Sequence, residues 1–232
     1  MFVFRLGSCA GVLLSLAVVT LSASAFAQAT ADEQKLIKRI PAGYVLYHDR
    51  YNDETLTAVG DLNGDGADDY ALVVAKSGDD NFAGIMIFFK DGGDYKLALD
   101  NRACFNSDSD LENGMSTPSS ISVEKGNLYF RYQEIYNCDR AVHTYTVRYR
   151  NTEFEVIGYD YVYVSCGRYG EGTIKKSVNF PARKQLDSQC EPKKKCNETW
   201  TVFTLKEPIL LRKLSGIDFG SVISGYMVKK EP

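Results

Sequence analysis

The residues best suited to chemistry in this chain lie in one acidic segment, residues 60–70, which reads GDLNGDGADDY. Five oxygen donors alternate along it: Asp61, Asn63, Asp65, the carbonyl of Ala67, and Asp69. They stand at positions 1, 3, 5, 7 and 9 of a loop, which is the spacing at which proteins surround Ca²⁺ with hard oxygen ligands. Gly66 at position 6 permits the sharp turn that such a loop needs. The sequence therefore predicts a calcium site formed by these five residues.

The residues after the loop distinguish between kinds of calcium site. An EF-hand requires a bidentate Glu at position 12 and a helix on each side. Leu72 stands at that position instead, inside the apolar run 70–74, which is typical of a strand. The loop therefore leads into a strand. The alternative is an acidic turn without metal, because Asn-Gly and Asp-Gly pairs also form ordinary hairpin turns.

The loop resembles the calcium-binding repeat of the FG-GAP and VCBS families, which occur in integrin-type β-propellers and in many secreted bacterial proteins. Their pattern, Asp-x-Asn-x-Asp-Gly-x-x-Asp followed by a strand, is matched at every ligand position from Asp61 to Asp69. The similarity covers roughly residues 57–92. Asp68 departs from it, because family members often carry Pro or a neutral residue there. The resemblance implies a structural calcium ion in a blade-like sheet.

The remaining chain is rich in short β-type runs separated by turn signals such as Lys90-Asp91-Gly92-Gly93-Asp94. A short amphipathic helix is expected at 31–40, before Pro41. The predicted strands are Tyr44–His48, Thr57–Gly60, Tyr70–Ala75, Gly84–Lys90, Tyr95–Leu99, Ser120–Val123, Leu128–Tyr132, Val142–Arg150, Phe154–Ser165, Thr173–Val178 and Thr199–Leu205.

These runs predict an all-β protein, an antiparallel meander of two sheets with one propeller-blade-like calcium loop and one short N-terminal helix. A complete propeller is not expected, because no second copy of the loop recurs at a fixed period. The predicted organisation is a signal peptide at 1–27, a calcium-loop β region at 28–102 and an antiparallel β region at 103–232. The last two regions could equally form one continuous domain.

Residues 1–27 have the features of a secretory signal peptide: Arg5, an apolar run from Val12 to Leu21, and the small-x-small site Ala25-Phe26-Ala27. No segment contains 18 uninterrupted apolar residues, so no membrane span is expected. The expected location is the bacterial periplasm or the extracellular space.

Charge is distributed unevenly along the chain. Residues 28–120 contain 8 basic and 17 acidic side chains, whereas residues 121–232 contain 18 basic and 13 acidic side chains. Such asymmetry can steer a charged partner. It is too mild to indicate a nucleic-acid ligand, and export also argues against one. The simpler explanation is that the first half is acidic because it contains the calcium loop.

Five cysteines follow the signal segment: Cys104, Cys138, Cys166, Cys190 and Cys196. In an oxidising compartment this number predicts two disulfides and one free thiol. The short segment 190–196 favours one bridge between its ends. The second bridge is a choice among the three pairings of Cys104, Cys138 and Cys166, and Cys104–Cys138 is preferred because both are expected at strand ends. A zinc site is disfavoured, since no Cys-x-x-Cys pair exists.

No nucleophile elbow, metalloprotease helix motif, phosphate-binding loop or dinucleotide fingerprint occurs in the sequence. The two histidines, His48 and His143, are expected to be a strand-end surface residue and a half-exposed sheet residue. Tyr159, Tyr161 and Tyr163 alternate on one predicted strand. They form either the packed face of a sheet or a binding stripe.

The sequence therefore favours an exported, monomeric, calcium-stabilised protein that acts by binding rather than by catalysis. A protein or cell-wall ligand is expected, and an immunity-type inhibitor of a toxic enzyme is one such binder. The candidate contact residues are the basic loop Lys193–Lys195 and those of the three tyrosines that face solvent. The alternatives are a calcium-dependent hydrolase of cell-wall material and a structural envelope protein.

Overall fold

The computed structural model describes residues 31–49, 54–106, 118–167, 170–192, 195–214 and 227–229. Residues 31–37 form the predicted short helix, and an ion pair of 3.1 Å joins Lys35 Nζ to Asp32 Oδ1 within it. This helix belongs to a first unit, Met1–Arg39, and all the strands belong to a second compact unit, Ile40–Pro232. Within the described ranges, no helix has the length and apolarity needed to cross a membrane.

The first sheet of the second unit contains the strands on both sides of the acidic loop. Its strands are β1 (Tyr44–Leu46), β4 (Thr57–Gly60), β5 (Asp69–Lys76), β6 (Asp79–Asp91) and β7 (Asp94–Asn106). They pair antiparallel in the order β1-β5-β6-β7, and β4 also pairs with β5. A separate two-stranded ribbon is formed by β2 (His48–Asp49) and β3 (Glu54–Thr55).

The second sheet has eight antiparallel strands that are neighbours in chain order, so it is a continuous meander. Its strands are β8 (Ser120–Glu124), β9 (Asn127–Tyr136), β10 (Asp139–Arg150), β11 (Glu153–Gly167), β12 (Gly170–Asn179), β13 (Lys184–Cys190), β14 (Asn197–Leu205) and β15 (Met227–Lys229). A 3-10 turn at Leu211–Lys213 lies between the last two strands. The predicted all-β, antiparallel, two-sheet fold is therefore confirmed.

Both sheets contribute to one hydrophobic core. Val73 and Ile85 from the first sheet lie in the same buried cluster as Phe130, Tyr145 and Val147 from the second sheet. These positions follow from the alternation of strand side chains between faces. Each fully buried apolar side chain of this size contributes about 1.5–3 kcal/mol relative to an exposed one. Packing of the two inner faces against each other is therefore the main source of stability.

Three strands lie outside the predicted runs: β3, β13 and β15, of which β13 is the longest. β13 has the sequence KQLDSQC, which contains one aliphatic residue and no aromatic residue, so neither composition nor periodicity indicates a strand. It forms because β12 and β14, on either side, present edges that it pairs with along six or seven residues. Pairing with the neighbouring strands therefore outweighs the low strand propensity of the residues in β13.

The two disulfides are Cys190–Cys196 and Cys138–Cys166, with Cα atoms 4.1 Å and 5.6 Å apart. The first was predicted. The preferred second pairing, Cys104–Cys138, is wrong, because Cys104 is buried with no exposed surface and remains a free thiol. The register of β10 and β11, in which Arg140 faces Val164, brings Cys138 and Cys166 together instead. Two disulfides in one chain indicate an oxidising environment.

Thiol counting should separate the one buried thiol from the four bridged cysteines. Burial raises the pKa of Cys104 far above its ordinary value, and reactivity requires the thiolate. Protein lacking residues 1–27 should therefore show no reactive thiol when native, one when denatured and five after reduction. Cys104→Ala should remove the single thiol that denaturation exposes. Two or more thiols in denatured, unreduced protein would contradict this pairing.

Candidate metal centre

The acidic loop connects β4 to β5, and its first carboxylate organises the turn. Asp61 accepts hydrogen bonds from the backbone N–H groups of Gly64, at 2.7 Å, and Gly66, at 2.9 Å. Both glycines have positive φ angles, 84° and 85°, which residues with a Cβ rarely adopt. The glycines at positions 4 and 6 thus allow the backbone to curl around the Asp61 carboxylate.

The next two side chains of the loop continue the same pattern. Asn63 Oδ1 accepts from the N–H of Asp65, and Asp65 Oδ1 accepts from the N–H of Ala67, each at 2.8 Å. Asn63 Nδ2 also donates to Asp65 Oδ2 at 2.9 Å. Short polar side chains that bond to the backbone two residues ahead form consecutive tight turns. The side chains at positions 1, 3 and 5 are thereby held inside one loop.

Asp69 closes the loop from the first residue of β5 and is completely buried. Its two carboxylate oxygens accept from the backbone N–H groups of Leu62 and Lys90, each at 2.9 Å. Burial raises the pKa of Asp69, and the hydrogen bonds from Lys90, Leu62 and Asn63 act in the opposite direction. A buried carboxylate with an elevated pKa gains from a nearby cation, since a positive charge stabilises its ionised form.

The loop also contacts the second sheet. A Cβ added at Gly60 would lie 2.7 Å from Val123 Cγ1 in β8, and one added at Gly126 would lie 3.6 Å from the carbonyl oxygen of Asp61. Gly126 lies in the turn between β8 and β9. The start of the acidic loop therefore lies against the β8–β9 hairpin of the second sheet.

The donor set of the loop fits a hard cation. An ionised carboxylate has about four lone-pair positions. Asp61 accepts two backbone hydrogen bonds and Asp69 accepts bonds from Leu62, Asn63 and Lys90, so capacity for a metal remains on both. Within the described residues, the carboxylate oxygens of Asp61, Asp65 and Asp69 do not all lie within 4.8 Å of one another. A cation would therefore have to draw these side chains closer together.

Another group in the described residues does meet that distance: Cys138, Asp139 and Cys166. Its two sulfurs are bonded to each other, so no thiolate is available as a ligand. The Asp139 carboxylate accepts from the Tyr163 hydroxyl at 2.7 Å and from the N–H of Cys166 at 2.8 Å. In the oxidised protein this group therefore stabilises the end of the β10–β11 hairpin.

The tyrosine stripe is largely a packed face. Tyr159 is buried, so it is not a solvent-facing contact residue, whereas Tyr161 and Tyr163 are partly exposed. His143 is partly buried beside this stripe: its Nδ1 is hydrogen-bonded to the Tyr159 hydroxyl at 2.9 Å, and its ring centroid lies 4.8 Å from that of Tyr161. Glu134 Oε1 lies 3.7 Å from His143 Nε2. His48 is exposed in β2.

Stability should decrease as the pH falls through the titration range of His143. Burial lowers the pKa of His143 below 6.5, and Glu134 opposes this only in part. Between the lowered pKa and 6.5 the unfolded chain binds more protons than the folded chain, so the free energy of unfolding rises with pH there. Chemical denaturation between pH 5 and pH 8 should show this slope, and His143→Gln should reduce it. An unchanged slope in the variant would assign it to other groups.

Trp200, the only tryptophan of the sequence, was not singled out from the sequence and is 64% exposed. Across neighbouring strands, Trp200 is paired with Leu186, then Ser177 and then Asp160, and paired residues share one face of the sheet. Asp160 is next to Tyr159 in β11, and successive residues of a strand face opposite sides, so Trp200 lies on the face opposite to Tyr159. Val202, 56% exposed, lies on the same face. The alternation Thr-Trp-Thr-Val in 199–202 placed Trp200 and Val202 on one face of a strand but did not indicate whether that face meets solvent. Of the basic loop, Lys195 is exposed, and Lys193 and Lys194 lie outside the described residues.

Comparisons with protein-family models, with curated proteins and with solved structures found no match. The functional interpretation therefore depends on the residues of this chain.

Proposed function

We propose that this protein is an exported, calcium-stabilised binding module that acts in the periplasm or outside the cell. Two disulfides support an oxidising location, and the features of residues 1–27 support export by a signal peptide. The resemblance of residues 57–92 to the FG-GAP and VCBS repeat supports calcium as the ion of the loop.

The ion has a structural role in this proposal. Asp61, Asn63, Asp65, the Ala67 carbonyl and Asp69 would hold it, and when bound it would supply positive charge that neutralises the loop carboxylates. Asp69 already bonds the backbone of Leu62 and of Lys90 in β6. Fixing its carboxylate would therefore stabilise the connection of the loop to the first sheet.

The observation that carries the binding proposal is the exposed apolar end of β14. Trp200 and Val202 project from one face, and β15 pairs only with Phe203–Leu205. Among the described residues, no strand covers the other edge of β14 between Asn197 and Val202. An exposed strand edge offers unpaired backbone groups, and an adjacent Trp supplies an anchor. We therefore infer a protein partner that adds a strand to this edge.

The test begins with proteins exported by the same cell. A photo-crosslinking residue at Thr201, between the two anchors, should identify the partner, and its affinity is then measured with purified proteins. Trp200→Ala should weaken binding about thirtyfold, the size typical of a central interface residue.

Ile135→Ala is the matched control, because Ile135 is 59% exposed on β9, far along the same sheet from β14. It should leave the affinity unchanged. A partner that binds Trp200→Ala as tightly as wild type would reject this surface. If the purified protein hydrolysed a cell-wall substrate, and if replacing one carboxylate abolished that activity, the protein would be a hydrolase rather than a binding module.

A further inference from the structure

A pocket of about 290 Å³ lies at one end of the second sheet, and none of its lining residues belongs to the acidic loop or to the exposed edge of β14. Its walls are two connecting segments, the turn after β12 and the segment after β14, and its floor includes Glu155 and Val156 of β11. Both walls form backbone hydrogen bonds with β11, the strand of the floor. Phe180 N–H donates to the Ile157 carbonyl at 3.1 Å, and Val156 N–H donates to the Ile209 carbonyl at 2.8 Å. The pocket is therefore preformed, which lowers the entropic loss on binding.

Two of the cations that line the pocket have no counter-charge. The lining carboxylates each have another partner: Glu155 binds the guanidinium of Arg150, and Glu207 Oε2 lies 3.4 Å from Lys213 Nζ. The side chains of Arg183 and Lys206 form no hydrogen bond or ion pair with the residues that the structure describes. The pocket therefore has two positive charges available for a ligand.

The rest of the lining is apolar. Phe180 and Ile209 are buried at its base, each 1% exposed, and Val156, Leu205, Pro181 and Pro208 complete it. A small concave site with an apolar base and a few convergent polar groups is the usual form of a ligand pocket. The apolar lining favours a ligand with an apolar group over a free inorganic anion, because such an ion has no apolar surface to bury there.

We propose that this pocket binds a carboxylate attached to a small apolar group, as found at a peptide C-terminus or in a short organic acid. Arg183 and Lys206 contact the carboxylate, and the accessible apolar residues Pro181, Leu205 and Pro208 contact the apolar group above the buried base. Guanidinium and ammonium groups form charge-assisted hydrogen bonds to carboxylates, which are about twice as strong as neutral ones. This site is separate from the calcium loop and from the protein-binding edge.

The backbone at Arg183 provides a variant that keeps the fold. Its φ angle is 55°, a left-handed conformation that glycine adopts without strain. Arg183→Gly therefore removes the cation while relieving the backbone. Lys125→Gly is the matched control, because Lys125 has a φ angle of 51° and lies in the turn before β9, outside the pocket.

The probes are N-acetyl-leucine and its neutral counterpart N-acetyl-leucinamide, titrated into the full folded protein and followed by NMR shifts of the Phe180 and Ile209 amides. N-acetyl-leucine should bind saturably and the amide should not. Arg183→Gly and Lys206→Met should each weaken binding about tenfold, and Lys125→Gly should change it less than twofold.

Two further probes identify the source of the carboxylate. Tighter binding of N-acetyl-alanyl-leucine than of hexanoate would assign a peptide C-terminus, and the reverse order would assign a small organic acid. Equal binding of the amide, inorganic phosphate binding as tightly as N-acetyl-leucine, or unchanged affinity in both pocket variants would overturn the proposal.

Discussion

Calcium at a hundred times its dissociation constant should raise the free energy of unfolding by about 2.7 kcal/mol, because at the proposed site it would bind the folded loop and not the unfolded chain. Calcium sites in extracellular modules commonly have dissociation constants of roughly 10⁻⁴–10⁻³ M, so millimolar calcium is the relevant range. Asp65→Ala should abolish most of this increase by removing the ligand at position 5. Thermal denaturation with calcium and with chelator measures the difference.

Asp68→Ala is the matched control for the calcium prediction. Asp68 is exposed, stands in the same loop and carries the same charge, but occupies position 8 rather than a ligand position. Its replacement should preserve the stabilisation by calcium. If the melting temperature of the wild type does not respond to millimolar calcium, or if both variants respond alike, the loop is an acidic turn without metal.

Gly84→Ala should be the most destabilising single-methyl change in the first sheet, with an expected loss of about 3 kcal/mol or more. A Cβ at this position would lie 2.2 Å from the Cα of Arg102 and 2.3 Å from the carbonyl oxygen of Asn101. Both are backbone atoms of β7, which cannot rotate away. Asn101 Nδ2 further fixes this strand by donating to the carbonyls of Leu211, at 2.6 Å, and Leu214, at 2.8 Å.

Gly93→Ala provides the comparison, because a Cβ there would meet no atom within 4 Å. Its effect should be within about 0.5 kcal/mol, as for most exposed substitutions. Urea denaturation of both variants gives the two free energies. A Gly84→Ala protein as stable as Gly93→Ala would mean that β6 and β7 do not approach as closely as described.

Local sequence patterns predicted most of the strands because their apolar residues alternate with a period of two. The run 143–150 is an example, and β10 extends from Asp139 to Arg150. The same reasoning could not find β13, because its stability comes from pairing with β12 and β14 rather than from its own residues. It also could not select Cys166 as the partner of Cys138, since that choice depends on strand register.

In the acidic loop, likewise, contacts between residues close in sequence could be predicted, and contacts between distant residues could not. Spacing alone placed Asp61, Asn63 and Asp65 in one loop, because each bonds to backbone only a few residues ahead. The contact of Asp69 with Lys90 spans 21 residues, and no local pattern contains it. Periodicity likewise put Trp200 on a strand without indicating which face meets solvent.

The close approach of the loop to the turn before β9 has a consequence for how the molecule opens. Gly60 and Asp61 lie against Val123 and Gly126, so local unfolding of the loop would also remove contacts of β8. Calcium would then act on the cooperativity of the whole second unit rather than on one turn. Amide hydrogen exchange in β8 should slow together with that in β5 when the ion is added, because both would belong to one cooperative unit.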